Sequence, residues 1–344
     1  MPLSGVQSSH KEWEEKDKMM KLSNMVKGLA SDAVAKSLIQ NWEHDEGTLK
    51  FWRASSNFVY AFENKQEKYF LRFSFNQESS FEQIKAELNF LEYLKSNRYP
   101  CVYPIVSING KYIETVQNSE GKYYAVVFSS AKGLTLDENI TELQCEDWGK
   151  SLASLHKLSR VYEPSDTKRS NWRDILLEIN DMLQRYPDEQ EATEELGRLT
   201  EWLQSLSISN SNYGLIHYDF QLDNIFYDEN NRSFSVIDFD DAVYSWYIHD
   251  IVTALDDFLG DDMNLSNPQV KSFLKGYCSL IPLSNEEINQ FPNFQRFMKL
   301  YRFSKLLWSL EDCQVEDAPM WLEDVKLKFA RVRDELRLGF LEHH

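Results

Sequence analysis

Short apolar runs separated by polar loops mark the most informative part of the chain, residues 213–242. Three of these runs have the length and composition of β-strands: 215–216, 225–227 and 234–237. The loop after the first run carries His217, Asp219 and Asn224, and Asp238 follows the third run directly. The strand ends are therefore predicted to bring several proton-handling or metal-binding side chains to one place.

The hydrophobic period changes within the N-terminal third of the chain. Residues 1–45 are predicted to form a helical extension, because Val34, Leu38 and Trp42 recur at helical spacing. From residue 49 the period becomes two, which is typical of strands. The strands predicted in this region are 58–62, 69–73 and 123–128.

Amphipathic helices account for most of the remaining sequence. One helix is predicted to begin at Ser80, which forms a capping box with Gln83. A long helical region is predicted from Asp137 onward, and another helix is predicted to begin near Tyr247. The pattern predicts an α+β fold, with an antiparallel sheet in a small N-terminal part and helices in a larger C-terminal part.

Composition is that of a globular protein, with 344 residues of which 42% are hydrophobic. The sequence contains no run of about 18 apolar residues, so no membrane helix is predicted. The N-terminus also lacks the apolar core of a secretory signal, so no such signal is predicted. The cysteines form no C-x-x-C pair, which favours a reduced, cytoplasmic protein without structural zinc: Cys101, Cys145, Cys278 and Cys313. Residues 341–344 have the sequence of an expression-tag remnant.

The negative charge of the chain is unevenly distributed. The formal net charge is −18, which argues against nucleic acid as a partner because phosphate contacts need basic patches. Residues 213–262 contain twelve Asp or Glu and one basic residue, Arg232, for a net charge of −11. This segment is either a solvated acidic face or a region that attracts a cation.

Phosphoryl transfer requires side chains of the kind found after the predicted strands. The transferring group needs its charge neutralised, and the attacking hydroxyl must be oriented. Asp219 suits a carboxylate that accepts the hydroxyl proton, whereas Asn224 and Asp238 offer oxygen ligands suited to Mg²⁺. The spacing H-x-D-x-x-x-x-N followed by I-D-F matches the kinase catalytic loop and its metal-binding aspartate. The alternative is a β-meander with acidic turns.

The segments IHYDFQLDNI and VIDFDDA resemble the aminoglycoside phosphotransferase and choline kinase superfamily, which has a protein-kinase-like fold. Within it, the chain looks closest to the branch of type II homoserine kinases and the bacterial stress-response kinase. The resemblance implies two lobes and a linker: an N-lobe at 46–128, a hinge at 129–134 and a mainly helical C-lobe at 135–340. The chain lacks both a G-x-G-x-x-G loop and a long activation segment.

The resemblance also implies a nucleotide site between the lobes. Arg72 stands where kinases carry a strand lysine for the phosphates, and Glu87 on the next helix is its expected ion-pair partner. The remaining expected contacts lie in a phosphate loop and at the hinge: Ser55, Ser56, Asn57, Val127, Phe128 and Ser129. The alternatives are an ordinary hairpin turn for the loop and solvent-facing positions for Arg72 and Glu87.

The function implied by the resemblance is the ATP- and Mg²⁺-dependent phosphorylation of a hydroxyl on a small molecule, such as an aminoglycoside, homoserine or choline. His217 is expected to order the loop rather than carry a proton, and His156 is expected to be a core residue. The acidic segment favours a positively charged acceptor. Two alternatives stay open: a protein Ser/Thr kinase of the stress-response type, and a non-catalytic kinase-fold protein related to spore-coat members.

Overall fold

The computed structural model describes residues 19–119, 121–164, 167–311 and 319–341, which form two lobes. Parts of three predictions lie outside the described residues: the first 18 residues of the helical extension, the Cys313 thiol and the tag-like residues 342–344. No helix in the described ranges combines the length and hydrophobicity that crossing a bilayer requires.

The small lobe is built on one antiparallel sheet of six strands preceded by two short helices. Its helices are α1 (Leu22–Leu29), α2 (Ala33–Ile39) and α3 (Phe81–Ser96). Its strands are β1 (Lys50–Ala54), β2 (Phe58–Asn64), β3 (Glu67–Phe75), β4 (Pro104–Ile105), β5 (Glu114–Gln117) and β6 (Lys122–Ser129). The spatial order is β1-β2-β3-β6-β4, and β5 pairs with the first half of β6. The three strands predicted in this region lie within β2, β3 and β6.

Alternation along β6 divides the hydrophobic core into two clusters. Val126 and Phe128 belong to a cluster that includes α3 and the large lobe. Ala125 and Val127 belong to the other cluster, with the N-terminal segment and residues near the C-terminus. Both faces of the small-lobe sheet are therefore covered, which accounts for the high apolar content of its central strands.

Residues 19–42, called the leader below, lie between the small-lobe sheet and the C-terminal helices. The backbone N–H of Met20 donates to Ser55 O (3.1 Å), and Met20 O accepts from Ser309 Oγ (2.9 Å). Trp42 is buried as predicted, but it lies beyond the end of α2 rather than on the helix. The leader thus ties the loop after β1 to the large lobe.

The large lobe is mainly helical and carries two small sheets. Its helices are α4 (Glu142–Ser159), α5 (Trp172–Leu183), α6 (Gln190–Ser205), α7 (Tyr247–Leu259), α8 (Pro268–Cys278), α9 (Asn285–Ile288), α10 (Phe291–Leu310) and α11 (Met320–Leu341). Its strands are β7 (Leu134–Thr135), β8 (Tyr213–Ile216), β9 (Ile225–Asp228), β10 (Ser233–Val236) and β11 (Val243–Trp246). The sheets have the orders β10-β9-β7 and β11-β8. Strand β11, which directly precedes α7, is not among the strands predicted from the sequence.

The start of α4 differs from the prediction. Asp137 does not begin the helix, because its Oδ1 accepts from Asn139 N (2.9 Å) and forms a turn. Thr141 caps the helix instead, and its side chain and that of Gln144 exchange hydrogen bonds with each other's backbone. The helix therefore begins at Glu142, where a reciprocal capping box satisfies the first amides.

Two glycines allow α4 and α8 to pack at unusually close range. A Cβ at Gly149 would lie 2.0 Å from the carbonyl oxygen of Phe273, and one at Gly276 would lie 1.9 Å from that of Glu146. Each glycine therefore faces the backbone of the other helix, which cannot yield as a side chain can. This close contact supports α4, which forms part of the core beneath the candidate site.

We expect Gly149→Ala to lower the free energy of unfolding by about 1–3 kcal/mol, because the methyl group forces α4 and α8 apart. Gly197→Ala on α6 is the matched control, since no atom lies within 4 Å of the added Cβ. That variant should raise the free energy of unfolding by about 0.5–1 kcal/mol through helix propensity alone. Urea titration of both variants gives the comparison, and equal shifts would contradict the proposed packing role.

Candidate active site

One buried carboxylate fixes the loop that follows β8. Asp250, on α7, accepts hydrogen bonds from the backbone N–H groups of His217 (2.9 Å) and Tyr218 (2.7 Å). The Nε2 atom of His156 lies 2.9 Å from the same carboxylate. Burial alone would raise the pKa of Asp250, but the hydrogen bond from His156 and the neighbouring donors lower it. Burial lowers the pKa of His156, so an ionised Asp250 faces a neutral core histidine.

The ring of His217 orders the same loop from within. Its Nε2 donates to Ile237 O (2.8 Å), and its Nδ1 accepts from the backbone N–H of Asp219 (3.2 Å). These two partners require the neutral Nε2–H tautomer. Both ring nitrogens are engaged in shaping the loop, which agrees with the expectation that His217 is structural.

Asn224 orients the carboxylate of Asp219. Its Nδ2 donates to Asp219 Oδ2 (2.6 Å) and to Asp219 O (3.0 Å). Asn224 is fully buried and ends a short 3₁₀ turn directly before β9, so its side chain has a fixed direction. Since the amide nitrogen is engaged with Asp219, a metal at Asn224 would be bound through Oδ1.

The β9–β10 hairpin places Asp238 beside Asn224. The backbone N–H of Ile237 donates to Asn224 O (2.9 Å), which joins the two strand ends. Asp238 adopts the left-handed conformation (φ 65°, ψ 56°) and starts the 3₁₀ turn Phe239–Asp241. The predicted convergence of strand ends is thus realised for the segments that carry Asn224 and Asp238.

The small lobe contributes arginine side chains to the same place. Arg72 Nη2 lies 2.5 Å from Glu87 Oε2, which confirms the predicted ion pair. Arg53 Nη2 lies 2.6 Å from Asp238 Oδ2, and Arg72 Nη1 lies 3.9 Å from Asp238 Oδ1. Burial alone would lower the pKa of Arg72, but the negative charges of Glu87 and Asp240 outweigh it and raise the pKa.

A second set of polar contacts joins the lobes next to these ion pairs. Asp240 is buried and accepts from Asn57 Nδ2 (2.7 Å) in the predicted phosphate loop. The guanidinium of Arg169 donates to the carbonyl oxygens of Asp240, Ala242 (2.7 Å) and Gln83 (3.0 Å). The turn after Asp238 is therefore held by the first residues of α3 and by the loop after β1.

A cavity of about 490 Å³ lies between the lobes beside these contacts. Seven of the eight predicted nucleotide-site residues line it: Ser55, Ser56, Asn57, Arg72, Glu87, Phe128 and Ser129. Val127 does not line it: the side chain is buried on the opposite face of β6, and the backbone, which was the predicted contact, pairs with Leu71 and Ile105 within the sheet. The large lobe contributes Asp223 and Asp238 to the wall, together with apolar side chains.

The donor set at Asn224 and Asp238 suits a hard divalent cation. Asp238 offers a carboxylate and Asn224 an amide oxygen as ligands. Mg²⁺ commonly binds one or two protein carboxylates and completes its coordination shell with phosphates and water. Within the described ranges, no group of three or more His, Cys, Asp or Glu residues could hold a metal ion on its own. The residues therefore fit a cation that arrives with a phosphorylated ligand.

The site residues predicted from the sequence do not include four side chains that shape the site: Arg53, Arg169, Asp240 and Asp250. A charged residue inside the apolar stripe of α7 was a usable signal for Asp250, because buried aspartates need partners. Arg53 and Arg169 act through long-range contacts, which no local pattern reports.

The fold and the site together define a protein-kinase-like phosphotransferase. The sequence of residues 49–285 matches the phosphotransferase enzyme family, APH, and the chain belongs to this family. The two-lobed α+β fold and the kinase class of enzyme inferred from the sequence are thereby confirmed.

Similarity to individual proteins extends over most of the chain. It is 26% identical over 287 residues to amicoumacin kinase of Bacillus subtilis (strain 168), covering 79% of this chain and 84% of the relative. It is 26% identical over 223 residues to homoserine kinase of Methylobacillus flagellatus (strain ATCC 51484 / DSM 6875 / VKM B-1610 / KT), covering 64% and 67%. Among solved structures, the amicoumacin kinase hAmiN in complex with AMP-PNP, Ca²⁺ and Ami superimposes with a TM-score of 0.75 at 21% identity, covering 90% of this chain and 93% of that one.

We expect Asp250→Asn to lower the free energy of unfolding by about 1–3 kcal/mol, because one backbone N–H then faces an amide NH₂ instead of a carboxylate oxygen. Amide exchange at His217 and Tyr218 should accelerate, which hydrogen-exchange mass spectrometry can measure. Asp261→Asn is the control, since this carboxylate is 93% exposed and, among the residues that the structure describes, pairs with Lys299 alone. Loss of this exposed ion pair should lower the free energy of unfolding by no more than about 1 kcal/mol. Equal behaviour of the two variants would show that Asp250 does not hold the loop.

Proposed function

We propose that the protein is an ATP- and Mg²⁺-dependent kinase that phosphorylates a hydroxyl group of a small, amine-bearing molecule. The observation that carries the proposal is the backbone hydrogen bond that joins the segments of Asn224 and Asp238. Asp238 lines one wall of the interlobe cavity, Asn224 orients Asp219, and the Arg72–Glu87 pair lies on the facing lobe. Phosphoryl transfer depends mainly on positioning and on stabilisation of charge, which this arrangement can supply.

The nucleotide would occupy the cavity of about 490 Å³. Its apolar wall includes Phe70 and Phe128, which suit an adenine ring, and Arg72 lies over the Phe128 ring at 4.8 Å from its centroid. Arg72 would bind phosphate oxygens while Glu87 holds its guanidinium in place. The AMP-PNP bound to the structurally similar hAmiN supports a nucleotide in this fold.

The Mg²⁺ ion would be held by Asn224 Oδ1 and the carboxylate of Asp238, where it would neutralise charge on the phosphates. Asp219 would accept the proton of the acceptor hydroxyl. Its orientation by the Asn224 amide leaves the carboxylate with a single fixed direction, as a general base needs.

The acceptor would enter along α10, through a second cavity of about 280 Å³ that includes Ser56 of the phosphate loop. The ring of Tyr218, next to Asp219, lies 5.8 Å from that of Tyr301 on α10, measured between centroids. Ser304, one turn further along α10, lines the second cavity. The second cavity and the loop that carries Asp219 therefore contact neighbouring turns of α10.

Charge favours an amine as the feature recognised. The second cavity contains the acidic residues Glu78, Glu178 and Asp181 and the basic residues Arg185 and Lys305. Glu178 pairs with Lys305 (2.8 Å). In the described part of the chain no cation lies within ion-pair distance of Asp181, so its carboxylate can meet an ammonium group. The homoserine kinase relative is named for an amino alcohol, which agrees with this choice.

The acidic segment 213–262 contributes less to this recognition than its net charge suggests. Asp256 accepts from Gln295 Nε2 (2.9 Å), and Asp261 pairs with Lys299 (2.5 Å), so both carboxylates face α10 rather than the first cavity. Asp223 does line that cavity. The proposal of a cationic acceptor therefore depends mainly on the second cavity and on the relatives.

We expect Asp219→Asn to lower kcat by about two orders of magnitude or more, the usual contribution of a positioned proton acceptor. Nucleotide affinity, measured by calorimetry with Mg²⁺ present, should stay nearly unchanged. The activity screen should offer ATP with amino alcohols, aminoglycosides and neutral polyols. A variant that turns over as fast as the parent would remove Asp219 from the mechanism, and no ATP consumption with any hydroxyl acceptor would overturn the proposed function.

We expect kcat/KM for an amine acceptor to fall as ionic strength rises from about 0.01 to 0.15 M, where the screening length falls from roughly 30 to 8 Å. Asp181→Asn should raise KM for that acceptor and flatten the salt dependence, because the carboxylate facing the ammonium group is lost. Asp188→Asn removes the same charge from an exposed position outside the second cavity, and it should change neither quantity. A preference for an acceptor that carries no ammonium group would contradict this assignment.

A further inference from the structure

Arg53 lies on the cavity-facing side of the small-lobe sheet, in line with Arg72. A register shift in the β1–β2 ladder between Phe51 and Arg53 places Arg53 opposite Val59. Val59 in turn pairs with Arg72 on β3. Arg53, Val59 and Arg72 all line the interlobe cavity, so two guanidinium groups flank one valine on the same face of the sheet.

Both guanidinium groups approach Asp238, but they are anchored differently. Arg53 Nη2 is 2.6 Å from Asp238 Oδ2, whereas Arg72 Nη1 is 3.9 Å from Oδ1. Arg72 is held independently by Glu87 at 2.5 Å. Within the described ranges, Asp238 is the one acidic side chain within ion-pair distance of Arg53. Arg53 can therefore leave Asp238 without breaking a second ion pair, and Arg72 can stay in place.

We propose that Arg53 is an exchangeable counter-ion, which neutralises Asp238 until a divalent cation binds this carboxylate and then transfers to the phosphates of the nucleotide. The inference rests on the proposed function, because it requires a metal–nucleotide complex as the incoming ligand. It makes Arg53 a positioning residue that couples the binding of the metal to the binding of the nucleotide.

Repulsion between like charges favours the exchange. A guanidinium 2.6 Å from Oδ2 occupies one of the two carboxylate oxygens that a metal could use. A divalent cation on Asp238 would repel the neighbouring guanidinium of Arg53 and so favour its departure. The phosphates offer Arg53 a new anionic partner next to the loop of Ser55, Ser56 and Asn57, which begins two residues later.

The exchange predicts opposite effects on two affinities. A metal that arrives alone must displace Arg53 without giving it another anion, so metal affinity is weak in the absence of nucleotide. A metal that arrives with nucleotide supplies the phosphates that receive Arg53, so each ligand favours the other. A residue that only supported the fold would weaken both affinities when replaced.

The test uses the full chain and Mn²⁺ as the probe, with free Mn²⁺ measured by electron paramagnetic resonance in the absence of nucleotide. Arg53→Met should bind Mn²⁺ about tenfold more tightly than the parent, because Asp238 no longer has a competing cation. The same variant should bind the Mg²⁺–AMP-PNP complex about tenfold more weakly, as measured by calorimetry. Arg53→Gln, which keeps a polar but uncharged side chain, should shift both affinities in the same directions.

Two controls make the result specific. Lys50→Met removes one positive charge from the same strand, at an exposed position away from the cavity, and should alter neither affinity. The double variant Arg53→Met with Asp238→Ala should lose the gain in Mn²⁺ affinity, which assigns that gain to Asp238. Unchanged Mn²⁺ binding, or a loss of both affinities in Arg53→Met and Arg53→Gln, would overturn the proposal.

Failure of this proposal is distinguishable from failure of the proposed function. If the parent protein does not bind the Mg²⁺–AMP-PNP complex at all, the kinase assignment fails, and the exchange fails with it for lack of a receiving phosphate. If the parent binds the complex and the Arg53 variants bind Mn²⁺ no more tightly, only the role of Arg53 is wrong.

Discussion

The buried carboxylate of Asp250 is the constraint on which the candidate site depends. A charge with no solvent exposure is tolerated only when hydrogen-bond donors surround it. Here the donors are the backbone N–H groups of His217 and Tyr218 and the ring of His156. If the loop moved, Asp250 would stay buried without its partners, so the cost of desolvation penalises every other loop conformation.

The two sides of the cavity are held by different kinds of interaction. The loop with Asp219 is fixed through Asp250 to helices of the large lobe, whose core is apolar and closely packed. The small lobe reaches the same site through polar groups, Arg53 to Asp238 and Asn57 to Asp240. Polar contacts can be exchanged for contacts to a ligand, whereas apolar packing cannot. The large lobe therefore supplies fixed geometry, and the small lobe can respond to what binds.

Local patterns in the sequence predicted most of the elements around the site but not the contacts between them. The strand that carries Arg72 and the strand that precedes Asp238 were predicted from the two-residue hydrophobic period. The start of α3 was predicted from its capping residues. Both signals act over a few positions of sequence. The Arg53 side chain faces the cavity because of a register shift in the β1–β2 ladder. No residue type in this segment predicts that shift. Arg169 was missed because its three acceptors lie on remote segments.

The placement of α4 shows the same limit at the level of a single boundary. Asp137 and Thr141 are both good N-cap residues, and only the second has Gln144 at the right distance to complete a reciprocal cap. A misplaced helix boundary does not change the predicted fold class, because the class depends on the number of elements and on their hydrophobic period. Such an error does change the predicted site, since the geometry of the site depends on the positions of individual side chains.

The leader shows that the region shared with the family and the unit that folds are not the same length. The family match begins at residue 49, yet Met20 links the loop after β1 to Ser309 on α10, and leader residues share a core with the small-lobe sheet. Sequence comparison alone would place the domain boundary inside this core. Grafting residues 49–285 onto another protein would therefore transfer the family domain without the segment that holds the loop after β1 against the large lobe.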